Sequence, residues 1–134
     1  MSDVSILIVD DALMMRNMVA GCLLSLGYKN IDQAENGQIA IDMLKNKLET
    51  SKSTYNAIFL DWNMPVVTGI DVVKFVRSEK AFNQVWIVMV TAESEAKSKD
   101  EAMKSGVDYF VTKPFDRNKI VAIAQSLFDK PRLK

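Results

Sequence analysis

Histidine is absent from this chain of 134 residues. Its absence excludes imidazole metal ligation, Ser–His and Cys–His catalysis, and phosphohistidine chemistry within the chain. Cysteine is nearly absent too. Cys22 stands alone, so no internal disulfide can form, and a reducing, cytoplasmic setting is expected. Neither sign of charge is in excess, with 17 basic against 17 acidic residues, which argues against general affinity for nucleic acid. No apolar stretch approaches the roughly 18 residues of a membrane span. The start, Met1-Ser2-Asp3-Val4, lacks the basic and apolar regions of a secretory signal. What remains is an ordinary globular composition, 49% apolar and 25% charged, long enough for a hydrophobic core. Residues 1–134 are expected to form one domain.

The pattern alternates strand and helix. Ser5 to Val9, Ala57 to Leu60 and Val85 to Val90 are continuous apolar runs, as expected of strands buried on both faces. Asn30 to Ala34 is a more polar strand, suited to a sheet edge, and Val107 to Thr112 is the last strand. Helices are predicted over Ala12–Leu26, ended by Gly27, over Gly37 to about Leu48, over Thr68–Ser78 and over Ser94–Ser105. The second helix would present Ala40, Ile41, Leu44 and Leu48 on one face, and Glu49 to Thr54 reads as a polar loop. Asp116 can cap a last helix whose apolar face carries Ile120, Ile123, Ala124, Leu127 and Phe128. Five strands alternating with five helices imply an α/β fold with a parallel sheet covered on both faces. The methionines, Met15 and Met18 among them, read mainly as core filler, with Met14 and Met64 near the acids as exceptions that could shape entry to Asp61, and Cys22 as a small buried apolar residue.

The chemistry sits where strands stop. Asp10 and Asp11 end the first apolar run, Asp61 ends the third strand, Thr91 follows the fourth, and Lys113 ends the fifth, before Pro114. In open α/β sheets ligands bind at the carboxyl ends of the strands. Singly, each residue is common as a turn or cap; together they converge on one edge. Three carboxylates in one pocket repel each other, and a hard divalent cation removes the conflict. Magnesium takes a few protein oxygens and fills its octahedron with water or phosphate. With all three acids ionised, Mg²⁺ and Lys113 bring the cluster to neutrality, leaving room for a phosphoryl group.

These motifs resemble the receiver domain of two-component response regulators over essentially the whole chain. The resemblance rests on Ile8-Val9-Asp10-Asp11, Asp61-Trp62-Asn63-Met64-Pro65 with Gly69, Val90-Thr91-Ala92 and Lys113-Pro114-Phe115. Within the family it is similar to the stand-alone chemotaxis branch (CheY type), which Glu93 and Arg16 also fit. The resemblance implies a flavodoxin-like (βα)5 doubly wound fold, with a five-stranded parallel sheet of order 2-1-3-4-5 and no output domain. It implies Asp61 as phosphoacceptor, Asp10 and Asp11 holding Mg²⁺ directly or through water, and the Asn63 carbonyl as a further ligand. Lys113 would contact the phosphoryl group, Thr91 would move towards it, and Phe110 would be the rotating aromatic of the switch. Asn63 and Glu93 would tune dephosphorylation.

Implied partners are a histidine kinase of the CheA type, the flagellar motor switch protein and a phosphatase, with no nucleic acid, no membrane insertion and a monomeric state. Such a protein is a regulator rather than an enzyme, catalysing only its own phosphorylation and dephosphorylation. The branch often carries tyrosine where Phe110 stands, so a hydroxyl contact with the partner is lost here. Signalling is expected through the fourth helix, fifth strand and fifth helix. That fourth helix is strongly polar, with Glu95, Lys97, Lys99, Asp100, Glu101 and Lys104.

Other functions fit less well. A stand-alone phosphorelay intermediate or phosphate sink would share the site. An aspartate-nucleophile phosphohydrolase usually has a second acid two residues after the nucleophile, and Asn63 stands there. A flavin-binding relative would need a phosphate-cradling loop where Asp10-Asp11 would repel the phosphate.

Overall fold

The computed structural model describes residues 4–92 and 99–128. Five parallel strands, β1 (Ser5–Val9), β2 (Asn30–Ala34), β3 (Ala57–Leu60), β4 (Trp86–Ala92) and β5 (Tyr109–Lys113), form one sheet in the order β2-β1-β3-β4-β5. The helices are α1 (Leu13–Leu24), α2 (Gly37–Ser51), α3 (Gly69–Ser78), α4 (Lys99–Ser105) and α5 (Arg117–Phe128), with a short 3-10 turn at Lys80–Phe82. This is the flavodoxin-like arrangement. The polar β2 is an edge strand, as its composition requires, because one flank faces solvent and needs no apolar cover.

Strand alternation sorts the core into two layers. Leu7, Val9, Ile58, Leu60, Ile87 and Met89 face the layer built with α2, α3 and α4. Ile6, Ile8, Ala57, Phe59, Val88 and Val90 face the layer built with α1 and α5. Every residue from Ile6 to Val9 is at most 1% exposed, so the continuous apolar run does mark a strand covered on both sides. Phe110 packs on the first layer and Tyr109 on the second, where its ring lies 6.4 Å from that of Trp86. Tyr109 therefore does not substitute for Phe110.

Three helices, α2, α3 and α5, start at side chains that satisfy otherwise orphaned N–H groups, whereas Ala12 before α1 offers none. The Ile39 N–H donates to Asn36 Oδ1 at 2.8 Å. Thr68 and Asp71 form a reciprocal capping box on α3. The Lys119 N–H donates to Asp116 Oδ1 at 2.9 Å, the cap expected for α5.

Three expectations change. Glu49, Thr50 and Ser51 belong to α2 rather than to a loop, because Lys52, in the left-handed region at φ 54°, ends the helix only there and donates its N–H to the Leu48 carbonyl. Val107 and Asp108 lie before β5. The Val107 N–H closes α4 onto Ala102, and Asp108 bonds Ile87 through both its main chain and its carboxylate, which also pairs with Arg77 at 2.9 Å. Met18 is 47% exposed rather than core filler, because α1 turns Val19, Ala20 and Leu23 to the sheet; Met14, the exception named above, is 75% exposed. Glu93, Glu95, Lys97 and the rest of residues 93–98 lie outside the described residues, as does the tail from 129.

A side chain in the left-handed region costs roughly 1–2 kcal/mol that glycine avoids, partly offset by glycine's greater freedom when unfolded. Lys52→Gly should therefore raise unfolding free energy by about 0.5–1 kcal/mol. Urea melts of the two proteins check this; a loss of stability would mean that Lys52 is not strained at the cap.

Candidate phosphoryl and metal site

The sheet order places the ends of β1 and β3 side by side, with β4 and β5 next along the same edge. Asp10 follows β1, and its N–H still bonds the Ala34 carbonyl of β2 at 3.2 Å. Asp61 follows β3, and its N–H bonds the Val9 carbonyl at 2.9 Å. The two ladders thus hold both acids at one height. Asp10 and Asp61 are buried, at 5% and 6% exposure, whereas Asp11 is exposed. Carboxylate oxygens of Asp10, Asp11 and Asp61 all lie within 4.8 Å of one another, close enough to share a cation.

Lys113 ends β5 and reaches across the sheet edge. Its Nζ donates to Asp10 Oδ2 at 2.9 Å and lies 3.6 Å from Asp61 Oδ1. Its peptide bond to Pro114 is cis. Asp10 Oδ1 is taken by the Ala12 N–H at 2.9 Å. Both oxygens of Asp10 are thus engaged by protein donors, while Asp61 meets the ammonium at a longer distance and the Asn63 main chain. The donor set suits a hard oxygen-seeking ion, since it offers carboxylates and neither sulfur nor imidazole.

Burial pushes the Asp61 carboxyl up from 3.8 to about 6. Lys113 and the Asn63 main chain pull it down, and Asp10 and Asp11 push it up again, but desolvation wins. The cause is the strand itself: Ala57-Ile58-Phe59-Leu60 is wholly buried, and Asp61 begins where that burial has not yet ended.

Thr91 is fully buried, and its hydroxyl has no hydrogen-bond partner among the described residues. It lies within β4, which continues to Ala92, rather than after the strand; its register partner is Thr112, one residue before Lys113. An orphaned buried hydroxyl at the edge that carries the acids is a donor in need of an acceptor.

The loop after Asp61 is tight. The Gly69 N–H bonds the Trp62 carbonyl at 2.8 Å. A Cβ on Gly69 would stand 2.7 Å from Trp62 Cα and closer still to the Asp61 carbonyl oxygen, so only glycine lets α3 start against the acid. Val66 has φ 65°, is 96% exposed, and is spanned by a 2.7 Å bond from the Val67 N–H to the Pro65 carbonyl. A β-branched residue rarely adopts that conformation; the strain lies five residues from Asp61. Asn63 is exposed in the same loop and Met64 is buried. Two contacts escaped the sequence reading: the bonds of Arg16 to the Asp10 carbonyl and to Gln33. Nothing in periodicity signals them.

Away from the acids, Phe110, Thr112, Phe115, Lys99, Lys119 and Ala122 line a groove of about 680 Å³ formed by α4, β5 and α5.

Without metal, ionised Asp61 opposes folding. Its raised pKa means that the native state holds the proton more tightly than the unfolded chain. The cost is full above about pH 6 and vanishes below about pH 4. Asp61→Asn should therefore stabilise the metal-free protein at pH 7, by up to ~3 kcal/mol, with the gain shrinking towards pH 4. Urea melts in EDTA across that range check it; a pH-independent difference would contradict the assignment.

The sequence matches the response regulator receiver domain over residues 6–125. It is 33% identical over 128 residues to chemotaxis protein CheY-3 of Vibrio cholerae, covering 96% of this chain and 94% of that protein. The structure of chemotaxis response regulator CheY4 of Vibrio cholerae superposes with a TM-score of 0.78 at 30% identity, covering 93% of this chain and 98% of that one. The receiver domain of sensor histidine kinase PA1611 from Pseudomonas aeruginosa, which holds a magnesium ion in its active-site cleft, superposes with a TM-score of 0.79 at 24% identity, covering 94% and 98%. Acids at the ends of β1 and β3, a lysine at the end of β5 and this match across the chain agree: the protein belongs to the response regulator receiver domain family.

Proposed function

We propose that this chain acts as a cytoplasmic response regulator of chemotaxis, switched by phosphorylation of Asp61. The observation that carries the reading is the triad Asp10, Asp11 and Asp61 with Lys113 spanning two of them. As a receiver it is a regulatory protein, not a conventional enzyme. In the transfer, an Asp61 carboxylate oxygen forms a bond to phosphorus as the phosphorus–nitrogen bond of a kinase phosphohistidine breaks, and the imidazole leaves with that electron pair.

The residues fit a divalent cation, Mg²⁺ by the chemistry of their oxygens and by the ion in the PA1611 receiver. Asp11 and Asp61 would hold it directly with the Asn63 carbonyl, and Asp10, with both oxygens occupied, through water. Such an ion supplies charge that offsets the three acids and the phosphoryl oxygens. Lys113 would meet one phosphoryl oxygen, and the unpartnered Thr91 hydroxyl another. Filling the space Thr91 vacates would let Phe110 turn inward, altering the groove it lines with Phe115 and Lys119. Asn63 and Glu93 are both assigned, from the sequence alone, the role of orienting an attacking water. The likeness to chemotaxis proteins supports a histidine kinase of the CheA type as donor and the flagellar motor switch protein as target. A phosphate sink or relay shares all of this chemistry but not the target.

A fluorescent peptide from the N-terminus of the flagellar switch protein should bind more tightly when Mg²⁺ and beryllofluoride are added, by about tenfold for a coupling of 1–2 kcal/mol. Indifference to beryllofluoride would favour the sink or relay. The phosphoryl group should persist for seconds to minutes at neutral pH with Mg²⁺, followed by loss of radiolabel from the protein. A lifetime of hours would remove Asn63 and Glu93 from the role given them.

A further inference from the structure

Arg16 is bonded in a way that no step above uses. Its Nη1 donates to the main-chain carbonyl of Asp10 at 2.7 Å, and its Nε donates to Gln33 Oε1 at 2.9 Å. Gln33 in turn donates through Nε2 to Asn17 Oδ1 at 3.3 Å. One guanidinium therefore ties α1 to β2 and to the residue after β1. The carbonyl it takes belongs to the peptide unit joining Asp10 to Asp11. Holding that oxygen fixes the tilt of the peptide plane, and so where Asp11 leaves the chain. Asp10 is itself anchored by its N–H, by Ala12 and by Lys113. Asp11 is exposed, so its placement depends on this shared peptide.

We propose that Arg16 is a positioning residue for the cation site, holding the Asp10–Asp11 peptide so that the Asp11 carboxylate faces Asp61. The inference rests on the metal reading given above and adds to it. Charge and geometry act in opposite directions here. As a positive charge Arg16 repels a cation, and its removal would tighten binding, by roughly twofold across screened solvent. As a clamp it preorganises a ligand, and loss of such an outer contact weakens metal binding by about tenfold. Geometry outweighs charge, which fixes the sign of the effect. Lysine keeps the charge but lacks the planar fork that reaches Asp10 and Gln33 together.

The test is Mn²⁺ binding to the full chain by electron paramagnetic resonance, with Mg²⁺ as competitor, beside urea melts without metal. Arg16→Met and Arg16→Lys should each raise the ion's dissociation constant about tenfold. Gln33→Leu, which touches none of the acids and keeps the fold safe should Arg16 variants fail, should raise it about threefold. A merely structural role would lower stability and leave the dissociation constant of the folded protein unchanged. Unchanged or tighter binding in Arg16→Met, or full affinity in Arg16→Lys, overturns the clamp while the metal reading stands. Wild-type binding that survives Asp11→Asn and Asp61→Asn, or no wild-type binding, overturns the metal reading and the clamp with it.

Discussion

Three carboxylates gathered at one sheet edge, two of them buried, are the constraint on which the rest of this structure depends. Such a cluster is unfavourable on its own terms, because desolvation and mutual repulsion both act against ionisation. The fold assembles it through ordinary means. The β1–β3 ladder sets Asp10 and Asp61 side by side, and a wholly apolar β3 carries its burial up to the acid. What answers the charge is Lys113, delivered by the parallel order of the sheet from two strands beyond Asp61 and three beyond Asp10. The ammonium lies nearer Asp10 than Asp61, so the residual need for countercharge falls on Asp61 and Asp11, the two acids best placed to bind an incoming cation.

The surroundings of the acids follow the same logic. Gly69 permits α3 to begin against the Asp61 carbonyl, and Val66 keeps a strained conformation in the same loop. Thr91 holds an unsatisfied hydroxyl on the neighbouring strand. Strained or unpartnered groups near a site are tolerated when the rest of the domain is stable enough to bear them. Here the two core layers on either side of the sheet supply that stability. In the proposed function these features become resources: an acid poised to react, a donor awaiting an oxygen, and Phe110 on the same sheet face as α4, bordering the groove.

Much of this was legible in the chain because the signals were local or periodic. Continuous apolar runs marked β1, β3 and β4, the polar composition of Asn30 to Ala34 placed β2 at an edge, and the capping role of Asp116 followed from its position before an apolar-periodic helix. The acids were visible because each ended a buried run. What escaped depends on side chains meeting across the fold. The end of α2 turns on one left-handed residue, Lys52, which no helix propensity announces. Asp108 looked like part of a strand but spends its carboxylate on Ile87 and Arg77, 21 and 31 residues away in sequence. The Arg16 link to Gln33 joins residues 17 apart through side chains alone. Exposure of Met18 was hidden because methionine is equally at home in a core or on a surface.

The central claim is that Asp61 receives the phosphoryl group, and chemical trapping addresses it without relying on substitution. An acyl phosphate formed with a small-molecule phosphodonor and Mg²⁺ is reduced by borohydride to an alcohol, converting the modified aspartate to homoserine, which peptide mass spectrometry locates. The account predicts homoserine at position 61 alone, formed only when the divalent ion is present. Homoserine at position 10 or 11, or equal yield at position 61 in EDTA, would contradict it.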